Sequence, residues 1–400
     1  MEEKQPGSSL ARMVIRSRAS ITPAAPYQRP AFALFVALAL TAIAGCADPA
    51  ATPPPESAPP PASQRALLPS TYWRAPADQP QDSACRKQLD AVRARVSAGP
   101  TTSLLAVRGD QIVFSLGPIA RPSQIRSARK SLLAMLFGKP VQEGRIDLDA
   151  TLKQLGIDDI GGLLPIERQT RVRDLITARS GVYHAAANGS GGDAAAAPPR
   201  GSQAPGTYFL YNNWDFNAAG DVFEQQTGRG IYDAFAEDIG IPLGLEDFHR
   251  ERHHRSGDAT RSSHLAYSFY LSARDMARIG ELMLANGRWQ GRQLVPADWL
   301  RTITTPVTRA ADMHPSHVGR RHIDYGDLWW IPEELADSPL AGSYFAWGYF
   351  GQYLLVVPKR GMVVVHKYDT NTSVDGPPIP TLGVANFLAI ARDLVDAPCT

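Results

Sequence analysis

Several motifs are missing from this 400-residue chain. It has no Gly-x-Ser-x-Gly elbow, no phosphate-binding Gly-x-x-x-x-Gly-Lys loop and no His-Glu-x-x-His pair. Their absence argues against elbow-type serine hydrolases, loop-type nucleotide hydrolases and zinc peptidases of that pattern. Charge of one sign is also missing. The formal net charge is +2, and the residues after position 45 hold 36 basic and 37 acidic side chains. Such a surface offers nothing to attract nucleic acid or another strongly anionic partner. No internal repeat is found. The longest apolar run, Ala31–Gly45, is too short for a comfortable membrane span. Cysteine is scarce, with three in the whole chain.

What is present at the N-terminus fits an export signal. Arg12, Arg16, Arg18 and Arg29 precede the apolar run, so 1–45 reads as a signal peptide, with Met1 or Met13 as its start. The run ends in Ile43-Ala44-Gly45-Cys46, which resembles a bacterial lipobox. That resemblance implies cleavage before Cys46, lipid on its thiol, and a membrane as partner through that lipid. By similarity to bacterial sorting rules, Ala47 favours the outer membrane and a periplasmic-side location. Residues 46–70 are rich in Pro and Ala and read as a semi-rigid tether. The folded part is expected from about Thr71. Cys85 and Cys399 stand at its two ends; they pair if the terminal helices lie together, and otherwise remain free thiols.

The folded region alternates between two kinds of pattern. Residues 85–97 read as a helix, and 102–107 and 111–116 as strands joined by the hairpin signal Gly109-Asp110. From about 140 to 320 the pattern is mostly helical, with helices expected over 171–177, 217–227, 230–238 and 272–285. A low-complexity insert covers 189–206. Strands are expected over 325–331, 343–347, 352–357 and 362–367, and a last helix over about 382–395. This order predicts an α+β fold. One antiparallel sheet (about 71–139 and 321–400) is flanked by N- and C-terminal helices, and a mostly helical lobe (about 140–320) is inserted into it.

Chemistry concentrates in three places. In Ser127-Ala128-Arg129-Lys130, helical spacing puts Ser127 and Lys130 on one face. A serine hydroxyl needs a nearby base, and a lysine serves only if its surroundings lower its pKa. The plain alternative is an ordinary helix start with Lys130 in solvent. Of the seven lysines, Lys130 alone has a serine three residues before it. Tyr211-Asn212-Asn213 is the second place. A phenol near a lysine relays a proton more easily, and Asn213 can support that lysine or a substrate amide. Otherwise Tyr211 is a buried ring before a polar turn. The third is Trp347-Gly348-Tyr349-Phe350-Gly351-Gln352, where glycine lets a substrate carbonyl approach backbone N–H groups. The N–H groups of Ser127 and Tyr349 are candidates for an oxyanion hole; the bland reading is a turn between strands. His249, His253, His254 and His264 are read as a solvated loop rather than a metal site, and no cofactor or metal is expected.

Taken in order, Ser127-x-x-Lys130, Tyr211-x-Asn213 and the glycine-rich third box resemble the class C β-lactamase and penicillin-binding-protein superfamily of serine hydrolases. The likeness runs through SARKSLLAMLFG, RDLITARSGVYH, PGTYFLYNNWDFNAAG and GYFGQYLLVVP. Its flavour is similar to the 6-aminohexanoate-dimer hydrolase and esterase branch. The resemblance implies a β-lactamase-like fold, Ser127 as nucleophile, Lys130 as base, Tyr211 as proton relay, Asn213 as support and the Tyr349 N–H in the oxyanion hole. Where relatives carry Lys-Thr-Gly, this chain has Ala346-Trp347-Gly348. The lost cation favours a small uncharged ester or amide as substrate. Two alternatives stay open: a β-lactamase or cell-wall D-amino-acid peptidase, and a lipoprotein that holds a wall fragment without turnover. Oligomeric state is not indicated.

Overall fold

A computed structural model describes Trp73 and residues 83–189, 196–316, 321–370 and 381–399. The expected signal peptide, Cys46 and the tether lie outside the described residues. Leu89, Val92 and Val96 recur at helical spacing and are buried on one side of helix α1 (Ser83–Ser97). Strands β1 (Ser103–Arg108) and β2 (Gln111–Leu116) follow, turning at Gly109, whose φ of 57° favours glycine. Helix α2 (Arg129–Gln142) comes next, then α3 (Asn213–Thr227) and α4 (Ala273–Leu284). Shorter helical turns and strand pairs connect them. The chain closes with β3 (Ile323–Tyr325), β4 (Trp330–Pro332), β5 (Tyr344–Gly348), β6 (Gln352–Val357), β7 (Met362–Lys367) and helix α5 (Val384–Val395).

The seven strands form one antiparallel sheet in the order β3-β4-β5-β6-β7-β1-β2. The N-terminal hairpin therefore pairs with the C-terminal strands, with Ala106 opposite Val364. Every residue of β6 and β7 is buried, which requires cover on both faces. On one face, Phe387 of α5 stacks on Tyr353 with ring centroids 4.2 Å apart. A disulfide joins Cys85 in α1 to Cys399 beyond α5, so the terminal helices do lie together.

The other face is covered by α4. A Cβ at Gly280 would stand 2.5 Å from a methyl of Val363 and 3.0 Å from one of Leu354, so only glycine allows this approach. Helix α4 falls within the span expected as the inserted lobe, yet it belongs to the packing of the sheet. Its buried stripe of Ala273, Met276, Ala277, Ile279, Gly280 and Met283 suits that role. Trp73 joins this layer from outside, its indole N–H donating to Glu281 at 2.8 Å.

Two expected elements shift in ways that matter. The strand expected over 325–331 is two strands, because the chain reverses over Gly326–Trp329 with Leu328 at a φ of 62°. The helix expected from 217 starts at Asn213, because the Asn212 side chain accepts the Trp214 N–H at 3.1 Å and caps it there. Ser272 caps α4 in the expected manner, accepting from the Asp275 N–H at 3.0 Å.

Candidate active site

Helix α2 is buried at every position from Arg129 to Gly138, so it runs through the interior rather than along a surface. A 3-10 turn, Arg126–Ala128, leads into it and carries Ser127. Arg126 holds a φ of 51°, an uncommon conformation for a side chain of this size. Strand β5 leans directly on this turn: a Cβ at Gly348 would fall 2.2 Å from the Ile125 carbonyl oxygen and 3.2 Å from the Ala128 nitrogen. Glycine at 348 is thus what lets the third box touch the serine segment, and it sets Tyr349 next to that contact. Phe350 and Gly351, at φ of 64° and 80°, turn the chain back into β6.

Lys130 gathers the predicted residues. Its Nζ lies 3.1 Å from Ser127 Oγ, 2.6 Å from Tyr211 Oη and 2.7 Å from Asn213 Oδ1. It also sits 4.1 Å from the ring centroids of both Tyr211 and Phe216. Asn213 is brought here by the early start of α3, and its Nδ2 donates to the Gly189 carbonyl at 2.8 Å. Tyr211 is backed by Trp330, 5.4 Å away between centroids, and Trp330 in turn by Trp347 at 5.2 Å.

The electrostatics favour a neutral lysine. Lys130 is 1% exposed. Burial holds its ammonium well below the ordinary lysine range, and the neighbouring Arg129 cation lowers it further. Asp215, also buried, pulls the other way. Burial pushes Asp215 itself well up, although it accepts a hydrogen bond from Ser180 Oγ at 2.6 Å. Both members of the Lys130–Asp215 pair are thus drawn towards their uncharged forms.

Arg129 was not singled out by the sequence pattern. Its side chain points inward, donating to Asn217 Oδ1 at 2.9 Å and lying 4.7 Å over the Tyr267 ring. Among the described residues it has no carboxylate within ion-pair distance. Its buried cation is therefore not cancelled locally. The third-box region holds two further cations. Arg126 donates to Thr370 Oγ1 at 2.7 Å and lies 5.3 Å over Phe350, and Arg321 lies 5.1 Å over Trp347. Gln352 is fully buried. Its amide donates to the Tyr368 carbonyl, and its Oε1 has no partner among the described residues.

The histidine stretch is less solvated than expected. His253 is 4% and His264 5% exposed. His253 packs between Phe248 and Tyr232, and burial brings its pKa down to about 4. His264 pairs with Asp221 at 2.5 Å. Phe248 at the edge of the stretch, and Tyr232 and Asp221 from earlier in the chain, draw these rings inward. Among the described residues no group of three or more His, Cys, Asp or Glu is placed to hold a metal ion.

A family model for beta-lactamase matches residues 90–377. Solved structures of similar fold include a protein described as a 6-aminohexanoate-dimer hydrolase from Bacillus anthracis. It is 20% identical, has a TM-score of 0.55, and the alignment covers 76% of this chain and 79% of that one. A class C beta-lactamase in complex with cefoxitin is similar at 14% identity and a TM-score of 0.55, covering 79% and 99%. Simvastatin synthase from Aspergillus terreus is similar at 17% and 0.54, covering 79% and 98%. An uncharacterized protein of Alkalihalophilus pseudofirmus is 27% identical over 139 residues, which span 33% of this chain and 37% of that relative's length. The family match covers well over half of the sequence: the chain belongs to the beta-lactamase family of serine hydrolase fold.

Proposed function

We propose that this chain cleaves small esters or amides through an acyl-enzyme on Ser127. The observation that carries the reading is the buried Lys130 Nζ held by Ser127 Oγ, Tyr211 Oη and Asn213 Oδ1 at once. Neutral Lys130 accepts the Ser127 proton as Oγ attacks the substrate carbonyl carbon. The resulting oxyanion is received by backbone N–H groups of Ser127 and Tyr349. Tyr211, hydrogen-bonded to the same nitrogen, delivers the proton to the leaving alcohol or amine, and the carbonyl–leaving-group bond breaks. Water then attacks the Ser127 ester, giving its proton back through the Lys130–Tyr211 pair, and releases the acid with Oγ–H restored.

The substrate class rests on the third box. Ala346-Trp347-Gly348 offers an apolar wall in place of a lysine, and the nearby Arg126 and Arg321 are engaged by the Phe350 and Trp347 rings, which favours an uncharged acyl group over a carboxylate-bearing lactam or peptide. The disulfide between Cys85 and Cys399 supports folding in an oxidising compartment, in keeping with export and lipid attachment at Cys46.

The test uses the chain from residue 71, its Ser127→Ala variant, a fluorophosphonate probe, p-nitrophenyl acetate and butyrate, and a chromogenic cephalosporin. Labelling and ester turnover are expected in the parent, with turnover lower by about 10³-fold or more in the variant. Labelling without turnover would support the non-hydrolysing alternative. Faster cephalosporin than ester cleavage would move the substrate class to β-lactams. A folded protein that neither labels nor turns over would overturn the assignment of Ser127.

A further inference from the structure

Away from Lys130, a cavity of about 310 Å³ opens beside Arg179, between residues 207–209 and 308–314. That size lies at the small end of ligand pockets, whose usual range is about 300–1,000 Å³. Arg179, Thr207, Thr308, Asp312 and His314 line it, with Phe209 as an apolar wall. The frame is fixed by backbone pairing: Phe209–Leu210 runs parallel to Met313–His314, and the Thr308 N–H donates to the Tyr325 carbonyl at 2.9 Å. The His314 ring is held by stacking on Tyr208, 4.2 Å away and 8° from parallel.

Two of the polar groups here are buried without a partner among the described residues. Thr308 is 2% exposed, and its hydroxyl has no hydrogen-bond partner among the described residues. The Arg179 Nε is buried and likewise unpartnered, and the same guanidinium reaches only the Val307 carbonyl, at a long 3.4 Å. Asp312 lines the same cavity, yet neither it nor Arg179 forms an ion pair among the described residues. Two opposite charges thus share an opening without meeting. A simple anion would be attracted by Arg179 and repelled by Asp312, and a simple cation the reverse. A molecule carrying both charges answers both.

We propose that this cavity binds a small zwitterion, an amino acid or ω-amino acid. Its carboxylate is received by Arg179 and the Thr308 hydroxyl, and its ammonium by Asp312. The site is separate from the reacting groups. Phe209 packs edge-on against Tyr325 at 5.4 Å, and Tyr325 edge-on against Tyr211 at 6.2 Å, so aromatic rings stand between this cavity and the Lys130 cluster. The inference does not depend on the hydrolase reading.

Calorimetric titration of the whole chain with glycine, β-alanine, 4-aminobutyrate and 5-aminopentanoate tests it, with propionate and propylamine as half-ligands. At least one zwitterion is expected to saturate, with both half-ligands weaker by about tenfold or more. Arg179→Met and Asp312→Asn should each weaken that zwitterion by about tenfold, and Ser127→Ala should leave it unchanged. Asp312 is exposed, so its variant keeps the test alive if Arg179→Met fails to fold. No saturation by any of the four, half-ligands binding as tightly, or unchanged binding in a folded Asp312→Asn would each overturn the proposal.

Discussion

Lys130 and Lys367 are both 1% exposed, and burial lowers both ammonium groups, that of Lys367 to about 7. Their surroundings differ in kind. Lys367 ends β7 and donates to the carbonyls of Ser123, at 3.0 Å, and of Leu271. It ties the large sheet to the small ladder in which Ser123 pairs with Leu271. Carbonyl oxygens only accept, so no proton passes from that nitrogen to a neighbour. Lys130 faces a serine hydroxyl and a phenol, groups that can give up a proton as well as take one. A depressed lysine pKa is thus common to a stitch and to a candidate base, and the partners distinguish them.

The largest expected effect breaks this comparison if it fails. Lys130→Met should lower kcat/KM for p-nitrophenyl butyrate by about 10²–10⁴-fold, whereas Lys367→Met should leave it near the parent value. Equal losses in the two variants, both folded by circular dichroism, would remove the distinction drawn above.

The second effect concerns stability. Lys367 binds its proton less tightly in the folded state than in the unfolded chain, so between pH 7 and about 10.5 the unfolded state holds more protons and stability rises with pH. The parent should therefore gain on the order of 3 kcal/mol on Lys367→Met between pH 7 and 10 in denaturant unfolding. A pH-independent difference would show that Lys367 stays charged throughout.

The smallest effect sharpens the account of Lys130. Arg129→Gln removes a buried cation beside it, so Lys130 should hold its proton to higher pH. The acid limb of the kcat/KM profile should move to higher pH, with the alkaline plateau retained. A limb that does not move would assign it to another group.

Legibility in the sequence followed from how local each feature is. Ser127 and Lys130 are one helical turn apart, and Tyr211 and Asn213 are two residues apart, so spacing marked each pair as a candidate, and the ordered resemblance to the superfamily gave the pairs their expected roles. The hairpin at Gly109-Asp110 and the strands β6 and β7 were legible for the same reason. Arg129 was not, because a helix buried at every position has no polar stripe to mark which way a cation points. Lys367 reads as the polar end of a strand, and only its contacts with Ser123 and Leu271 reveal its burial. Asn217 likewise depends on two helices meeting. The reversal at Gly326–Trp329 was hidden inside an apolar stretch, where a glycine against the Ile303 and Thr305 carbonyls marks the bend.

The sheet order has a consequence for when this molecule becomes itself. Ser127 emerges early in synthesis, but β5, on which its turn rests, and β7, which completes the pairing of β1, come near the end of the chain. Such distant pairing delays folding until almost all of the polypeptide is available. A growing chain therefore carries the serine, the lysine and the tyrosine without the pocket that joins them, and stays an open thread until its last strands arrive.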